Sequence, residues 1–247
     1  MKVKVLMLLA PGTNCDRETK FAFEYVGAEV DGIHIRELVK TPKKVFDYNI
    51  FVIPGGFTYG DDIASGKILA FELKKWLEED LRKFVEGGNL VLGICNGFQV
   101  LVKAGLLGEN KVSLVMNASG KFECRWIYLR HMGSNSIFAK GLDIIELPVA
   151  HAEGRFIAKD NYIKTLEENK EIVLKYCDEK GNPTMKYPLN PNGSMDSIAG
   201  ISAQEGRILG MMPHPERFVL EDQYYLKGKK VTPWGYYLFK NAVDYFR

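Results

Sequence analysis

The segment Gly93-Ile94-Cys95-Asn96-Gly97-Phe98-Gln99 places one cysteine between two glycines, each two residues away. Cys95 ends the apolar run Leu90 to Ile94 and precedes an amphipathic stretch, Phe98 to Ala104, closed by Gly105. A nucleophile on so sharp a strand-to-helix turn needs glycine on either side, because a Cβ there would strike neighbouring backbone. At a helix N-terminus the dipole and the free N–H groups favour a thiolate and supply part of an oxyanion hole. The chemistry implied is attack of Cys95 on an acyl carbon. A buried structural cysteine is the competing reading, and the flanking glycines argue against it.

Such a nucleophile needs a base. His34 and His131 fall in strand patterns and read as structural. His214 follows an apolar run in Met212-Pro213-His214-Pro215-Glu216-Arg217. Pro215 pushes His214 towards extended geometry, in which His214 and Glu216 face the same side. Glu216 then orients the imidazole that accepts the thiol proton. A proline-rich turn with an exposed ion pair is the alternative. His151, Glu153 and Arg155 form a second polar cluster. The segment Glu153, Gly154, Arg155 and Phe156 either lines a substrate pocket or holds a loop salt bridge between Glu153 and Arg155.

Several elements must position these groups. Val3–Leu9, Val30–Ile35, Ile50–Ile53 and Leu90–Ile94 read as buried strands, and 18–26, 68–85 and 98–104 as helices between them. Unalternating apolar strands interleaved with helices predict an α/β fold, a mostly parallel central sheet covered on both faces. Strands at 111–115, 122–129 and 144–149 in succession predict an antiparallel extension. Residues 178–197, rich in Gly, Pro and Asn, predict loop. Strands at 198–201 and 208–212 and a helix over 236–246 complete a single domain spanning 1–247.

With 33 Lys and Arg against 31 Asp and Glu, a net charge of +2 gives no electrostatic case for nucleic acid or a membrane surface. The run Lys227 to Lys230 reads as a solvated loop. No apolar stretch is long enough to span a bilayer. The apolar N-terminus runs into Pro11-Gly12 rather than a cleavage site, so it reads as a first strand. Four cysteines without CxxC pairing suggest neither zinc nor disulfides, and a reduced, cytoplasmic setting. Gly60 to Lys67 misses the spacing of a phosphate loop, with Ile68 where Ser or Thr would be needed.

The G-x-C-x-G-x-Q turn and the late His-Pro-Glu together resemble the class I (triad) glutamine amidotransferases. The resemblance implies a flavodoxin-like fold, a γ-glutamyl thioester on Cys95 and release of ammonia. It implies an oxyanion hole of backbone N–H groups at Gly56, Phe57 and Asn96, with Gln99 helping to hold glutamine. It calls for no metal or cofactor in this chain. Pro11 to Asp16, Gly55 to Asp61, His151 to Phe156, Asn190 to Ser194 and Met212 to Arg217 are similar to the glutaminase subunits of phosphoribosylformylglycinamidine synthases. That likeness implies a separate synthetase partner using ATP and magnesium in purine synthesis, and leaves room for a small accessory subunit. Asp62 to Gly66 departs from that pattern. Rival readings are an amidotransferase serving another synthetase, and a redox-sensing or chaperone-like protein on a related fold.

Overall fold

The computed structural model describes residues 2–159 and 161–247. Its strands are β1 (Lys4–Leu9), β2 (Glu29–His34), β3 (Ile50–Ile53), β4 (Leu90–Ile94), β5 (Val112–Val115), β6 (Glu123–His131), β7 (Ile144–His151), β8 (Arg155–Ala158), β9 (Ile172–Cys177), β10 (Ile198–Ala203) and β11 (Ile208–Met211). Its helices are α1 (Asp16–Tyr25), α2 (Ile35–Leu38), α3 (Lys67–Trp76), α4 (Glu78–Glu86), α5 (Asn96–Lys103), α6 (Tyr162–Glu168) and α7 (Trp234–Asp244).

Nine strands form one sheet in the order β2-β1-β3-β4-β11-β10-β9-β6-β7. From β2 to β11 every pairing is parallel, and from β11 to β7 every pairing is antiparallel. The central β3 and β4 are buried at every residue, as strands covered on both faces must be. The predicted extension therefore exists in β6 and β7, reached through β9 and β10. Residues 111–115 do not join it: β5 pairs with β8 in a separate two-stranded sheet.

Two further differences have physical causes. The helix expected over 68–85 breaks at Leu77 (φ −131°, ψ −6°). The acidic run Glu78-Glu79-Asp80 directly follows and suits the first turn of a new helix. Four elements, α2, β8, α6 and β9, have no counterpart among the sequence expectations. In β9 the apolar run is interrupted by Lys175, which is buried and pairs with Asp196 at 2.5 Å and Glu167 at 3.7 Å. Among the described residues no helix is long and apolar enough to cross a membrane.

The pairing that matters most is β11 alongside β4, with Met211 opposite Ile94. It sets the ends of two motifs over a hundred residues apart next to each other, and the Cys95 N–H donates to Met211 O at 2.7 Å.

Candidate active site

Cys95 joins β4 to α5 with φ 52° and ψ −105°, a strained backbone that L-residues seldom adopt. The glycines around it are required by contact. A Cβ on Gly93 would lie 2.6 Å from Gly97 O, and one on Gly97 would lie 2.0 Å from Ile53 O. The elbow is thus pressed against the end of β3, which continues into Gly55-Gly56.

Those glycines face the other wall. Gly56 bridges Thr13 antiparallel, and the flanking bonds run from Phe57 N–H to Gly12 O (2.9 Å) and from Asn14 N–H to Gly55 O (3.4 Å). In such a pairing the middle residue's own N–H points away from the partner strand. Gly56 (φ 154°) thus directs its N–H away from the 11–15 segment, while a Cβ there would lie 2.7 Å from Gly12 O. Asn96, first residue of α5, has one of the N–H groups that a helix leaves unbonded. Phe57 corrects the expectation: its N–H is committed to Gly12 and is not free for an oxyanion.

His214 is 2% exposed, and its N–H donates to Pro148 O of β7 at 2.9 Å. Its Nδ1 lies 2.6 Å from Glu216 Oε1, and Glu216 is fully buried. The pair forms as expected but for a different local reason. Pro215–Arg217 is a 3-10 turn, so the turn rather than an extended strand brings the carboxylate back to the ring. His214 Nε2 has no hydrogen-bond partner among the described residues. Burial opposes charge on this imidazole, but the Glu216 carboxylate and the Cys95 and Cys15 thiols outweigh it and raise its pKa well above the ordinary histidine value.

Cys95, His214, Gly56, Phe57, Gln99 and Glu153 line one cleft of about 250 Å³. Asn96 Nδ2 donates to Gln99 Oε1 at 2.9 Å, and Gln99 Nε2 donates to Glu153 O. Gln99 therefore braces the far wall with both ends of its amide. The other expected pocket residues lie behind that wall. Gly154 N–H donates to Asn117 Oδ1 (3.0 Å), Arg155 Nε donates to Gly193 O (3.2 Å), and Phe156 is buried in the core. Gly154, Arg155 and Phe156 do not line the cleft, and Arg155 is turned to Gly193 rather than paired with Glu153. His34 caps α2 by accepting from Arg36 N–H, and His131 lies between Leu142 O and Ser134 Oγ.

Cys15, which the sequence leaves open between a second thiol near the site and a small buried residue, is buried and lines the cleft, as does Arg217, which sequence reasoning missed. Arg217 Nη2 donates to Cys15 Sγ at 3.2 Å, and burial pushes that thiol's pKa up. The signal was present in Thr13-Asn14-Cys15-Asp16, but only the tertiary contact shows where it points. Cys15, His214 and Glu216 offer metal-ligand atoms within 4.8 Å of one another. The His214–Glu216 hydrogen bond and the Arg217 bond to the sulfur account for that proximity, and the guanidinium sets a cation beside the thiol. The Gly60–Lys67 segment presents no phosphate cradle: Asp61 Oδ1 already accepts the Gly66 N–H at 3.3 Å.

A buried cysteine on a strained elbow, a buried His–Glu pair whose imidazole lines the same cleft, and the N–H groups of Gly56 and Asn96 are the parts that cysteine-dependent acyl transfer on an α/β sheet requires. Comparison with known proteins narrows this class. Residues 2–246 match the model of the CobB/CobQ-like glutamine amidotransferase domain, and the chain belongs to that family. It is 44% identical to the phosphoribosylformylglycinamidine synthase subunit PurQ of Methanococcus maripaludis, over 98% of this chain and 97% of that one. The PurQ subunit of Dehalococcoides mccartyi is also 44% identical, over 100% and 98%. Among solved structures, PurLQS from Thermotoga maritima matches with a TM-score of 0.78 and 31% identity, covering both chains in full.

Proposed function

We propose that this chain is the glutaminase subunit of a phosphoribosylformylglycinamidine synthase. Cys95 Sγ attacks the side-chain carboxamide carbon of glutamine, and His214 takes the thiol proton. Glu216 holds the ring through Nδ1, leaving Nε2 for the transfer. The N–H groups of Gly56 and Asn96 stabilise the tetrahedral oxyanion. His214 returns the proton to the departing nitrogen, and ammonia leaves a γ-glutamyl thioester. Water, activated by the same imidazole, then releases glutamate.

The observation that carries this reading is the 2.6 Å His214–Glu216 contact in the cleft that also holds the elbow cysteine. Full-length similarity to subunits named for that synthase supports the choice of acceptor reaction. The ammonia passes to a separate synthetase subunit, which binds ATP and magnesium and converts formylglycinamide ribonucleotide to the amidine. A small accessory subunit completes the assembly, in the cytoplasm.

The test is Cys95→Ala in the complex with the synthetase. Glutamine-dependent amidine formation is expected to vanish while added ammonium still supports it. Loss of both activities in an intact complex would refute separate ammonia production, and survival of the glutamine reaction would refute Cys95 as nucleophile.

A further inference from the structure

The cleft contains a buried polar atom that the chemistry above does not use. His151, the last residue of β7, is 3% exposed and lines the cleft, yet its Nε2 has no hydrogen-bond partner among the described residues. A buried acceptor or donor without a partner is costly, so a native site that keeps one has a use for it.

The neighbouring Asn117 fixes what kind of atom this is. Asn117 Nδ2 donates to two carbonyls, Lys121 O at 2.9 Å and His151 O at 2.8 Å. Its Oδ1 must therefore be the acceptor that faces His151 Nδ1 at 3.2 Å. The Nδ1 atom carries the proton, and Nε2 is left with a lone pair. Burial, reinforced by the charge of His214, holds the His151 pKa down to about 3, so the ring stays neutral.

Its place in the cleft indicates what it meets. The preceding residue, Ala150, has its carbonyl 3.8 Å from Cys95 Sγ, and Pro148 of the same strand accepts the His214 N–H. The end of β7 thus passes the reacting atoms. The cleft's two carboxylates, Asp61 and Glu153, are joined instead through Ser65, whose hydroxyl donates to Asp61 and whose N–H donates to Glu153. That acidic corner suits the α-ammonium of an amino acid. A neutral acceptor beside the thiol suits an uncharged N–H.

We propose that His151 Nε2 accepts an N–H from the scissile carboxamide of bound glutamine, making His151 a specificity-determining residue for an amide leaving group. This rests on the glutaminase reading above. As the nitrogen takes a proton from His214 its N–H groups become stronger donors, so the bond tightens towards the transition state. A γ-ester of glutamate has no N–H on its leaving group and gains nothing from His151.

The experiment compares glutamine with the γ-methyl ester of glutamate as substrates of the assembled complex, for wild type, His151→Leu and His151→Gln. Leu removes the acceptor at similar volume, and Asn117 Oδ1 keeps its bond from the Gly154 N–H, so no new orphan is created. His151→Leu is expected to lower kcat/KM for glutamine by about 10- to 100-fold, the effect of losing one buried hydrogen bond. The ester's kcat/KM stays within about three-fold, since ester turnover lacks that bond. His151→Gln, whose Oε1 reaches the Nε2 position, recovers most of the amide activity. Equal loss on both substrates, no loss on glutamine, or failure of Gln to restore it would overturn the proposal. A wild-type complex that hydrolyses neither substrate would overturn the glutaminase reading itself, a distinguishable result.

Discussion

Replacing Glu216 with Gln keeps the side chain's shape and an acceptor oxygen but removes the charge 2.6 Å from His214 Nδ1. In the wild type that carboxylate, with the two thiols, overcomes burial and raises the imidazole pKa well above its usual value. In the variant the carboxylate's contribution is gone while burial still opposes the charge, so the pKa falls towards that of the unfolded chain, about 6.5. A raised folded-state pKa contributes stability that is fully present below the unfolded value and is lost as pH rises through the folded value. A depressed one does the reverse and destabilises the native state as pH falls. The stability gap between wild type and Glu216→Gln must therefore widen as pH falls from the alkaline range to about pH 6. Truncating one partner of a buried pair costs about 3–5 kcal/mol. Because Gln still accepts from Nδ1, a gap of about 2–3 kcal/mol near pH 6 is expected, the worth of a hydrogen bond to a charged group. Urea unfolding followed by tryptophan fluorescence at several pH values reads this as a shift in midpoint at constant slope. A gap that is flat or narrows as pH falls would show that Glu216 does not hold the charge on His214. The same variant should lose up to about 10⁴-fold in glutamine turnover, by analogy with loss of the orienting acid in a serine triad.

Gly97→Ala would put a Cβ 2.0 Å from Ile53 O, whereas one on Gly120 (φ 67°) meets no atom within 4 Å. Chemical denaturation should show a loss of about 3 kcal/mol or more for Gly97→Ala against about 1 kcal/mol for Gly120→Ala, which bears backbone strain alone. Thr58 Oγ1 donates to Asn96 Oδ1 at 2.7 Å, so Thr58→Val should loosen the residue that supplies an oxyanion N–H. A fall in glutamine kcat of about 10-fold is expected, with KM nearly unchanged; an effect on KM alone would contradict that route. Thiol mapping with iodoacetamide at neutral pH, read by mass spectrometry, should label the exposed Cys124 and the cleft's Cys95. It should spare Cys15, whose pKa burial raises, and Cys177, pushed up to about 12.

The parts legible in the sequence were those whose physics is local. Gly93 announces an elbow because the clash it avoids, with Gly97 O, is one the turn itself creates, whereas the clash that Gly97 avoids is with Ile53 O at the end of β3. Cys95 and His214 could be paired as nucleophile and base because few other residues of those types had suitable neighbours. Buried strands such as β3 and β4 follow from uninterrupted apolar runs. What failed depended on contacts distant in sequence. Lys175 hid β9, since its charge is compatible with a buried strand only once Asp196 and Glu167 are brought to it. The direction of the Phe57 N–H is set by Gly12, and that of Arg155 by Gly193, neither of which a motif specifies.

The same division explains how the site is assembled. The elbow is strained and must be held by its surroundings, and three separate segments hold it: the end of β3 against Gly97, Met211 O on the Cys95 N–H, and Ala150 beside the sulfur. The base is fastened to the same frame, because the His214 N–H bonds to Pro148 on β7. Nucleophile and base thus share supports from both the parallel half of the sheet and its antiparallel extension. A change that shifts β7 relative to β4 would move Ala150, His151 and His214 together against Cys95. The antiparallel extension is therefore part of the catalytic frame: it carries the wall that faces the thiol.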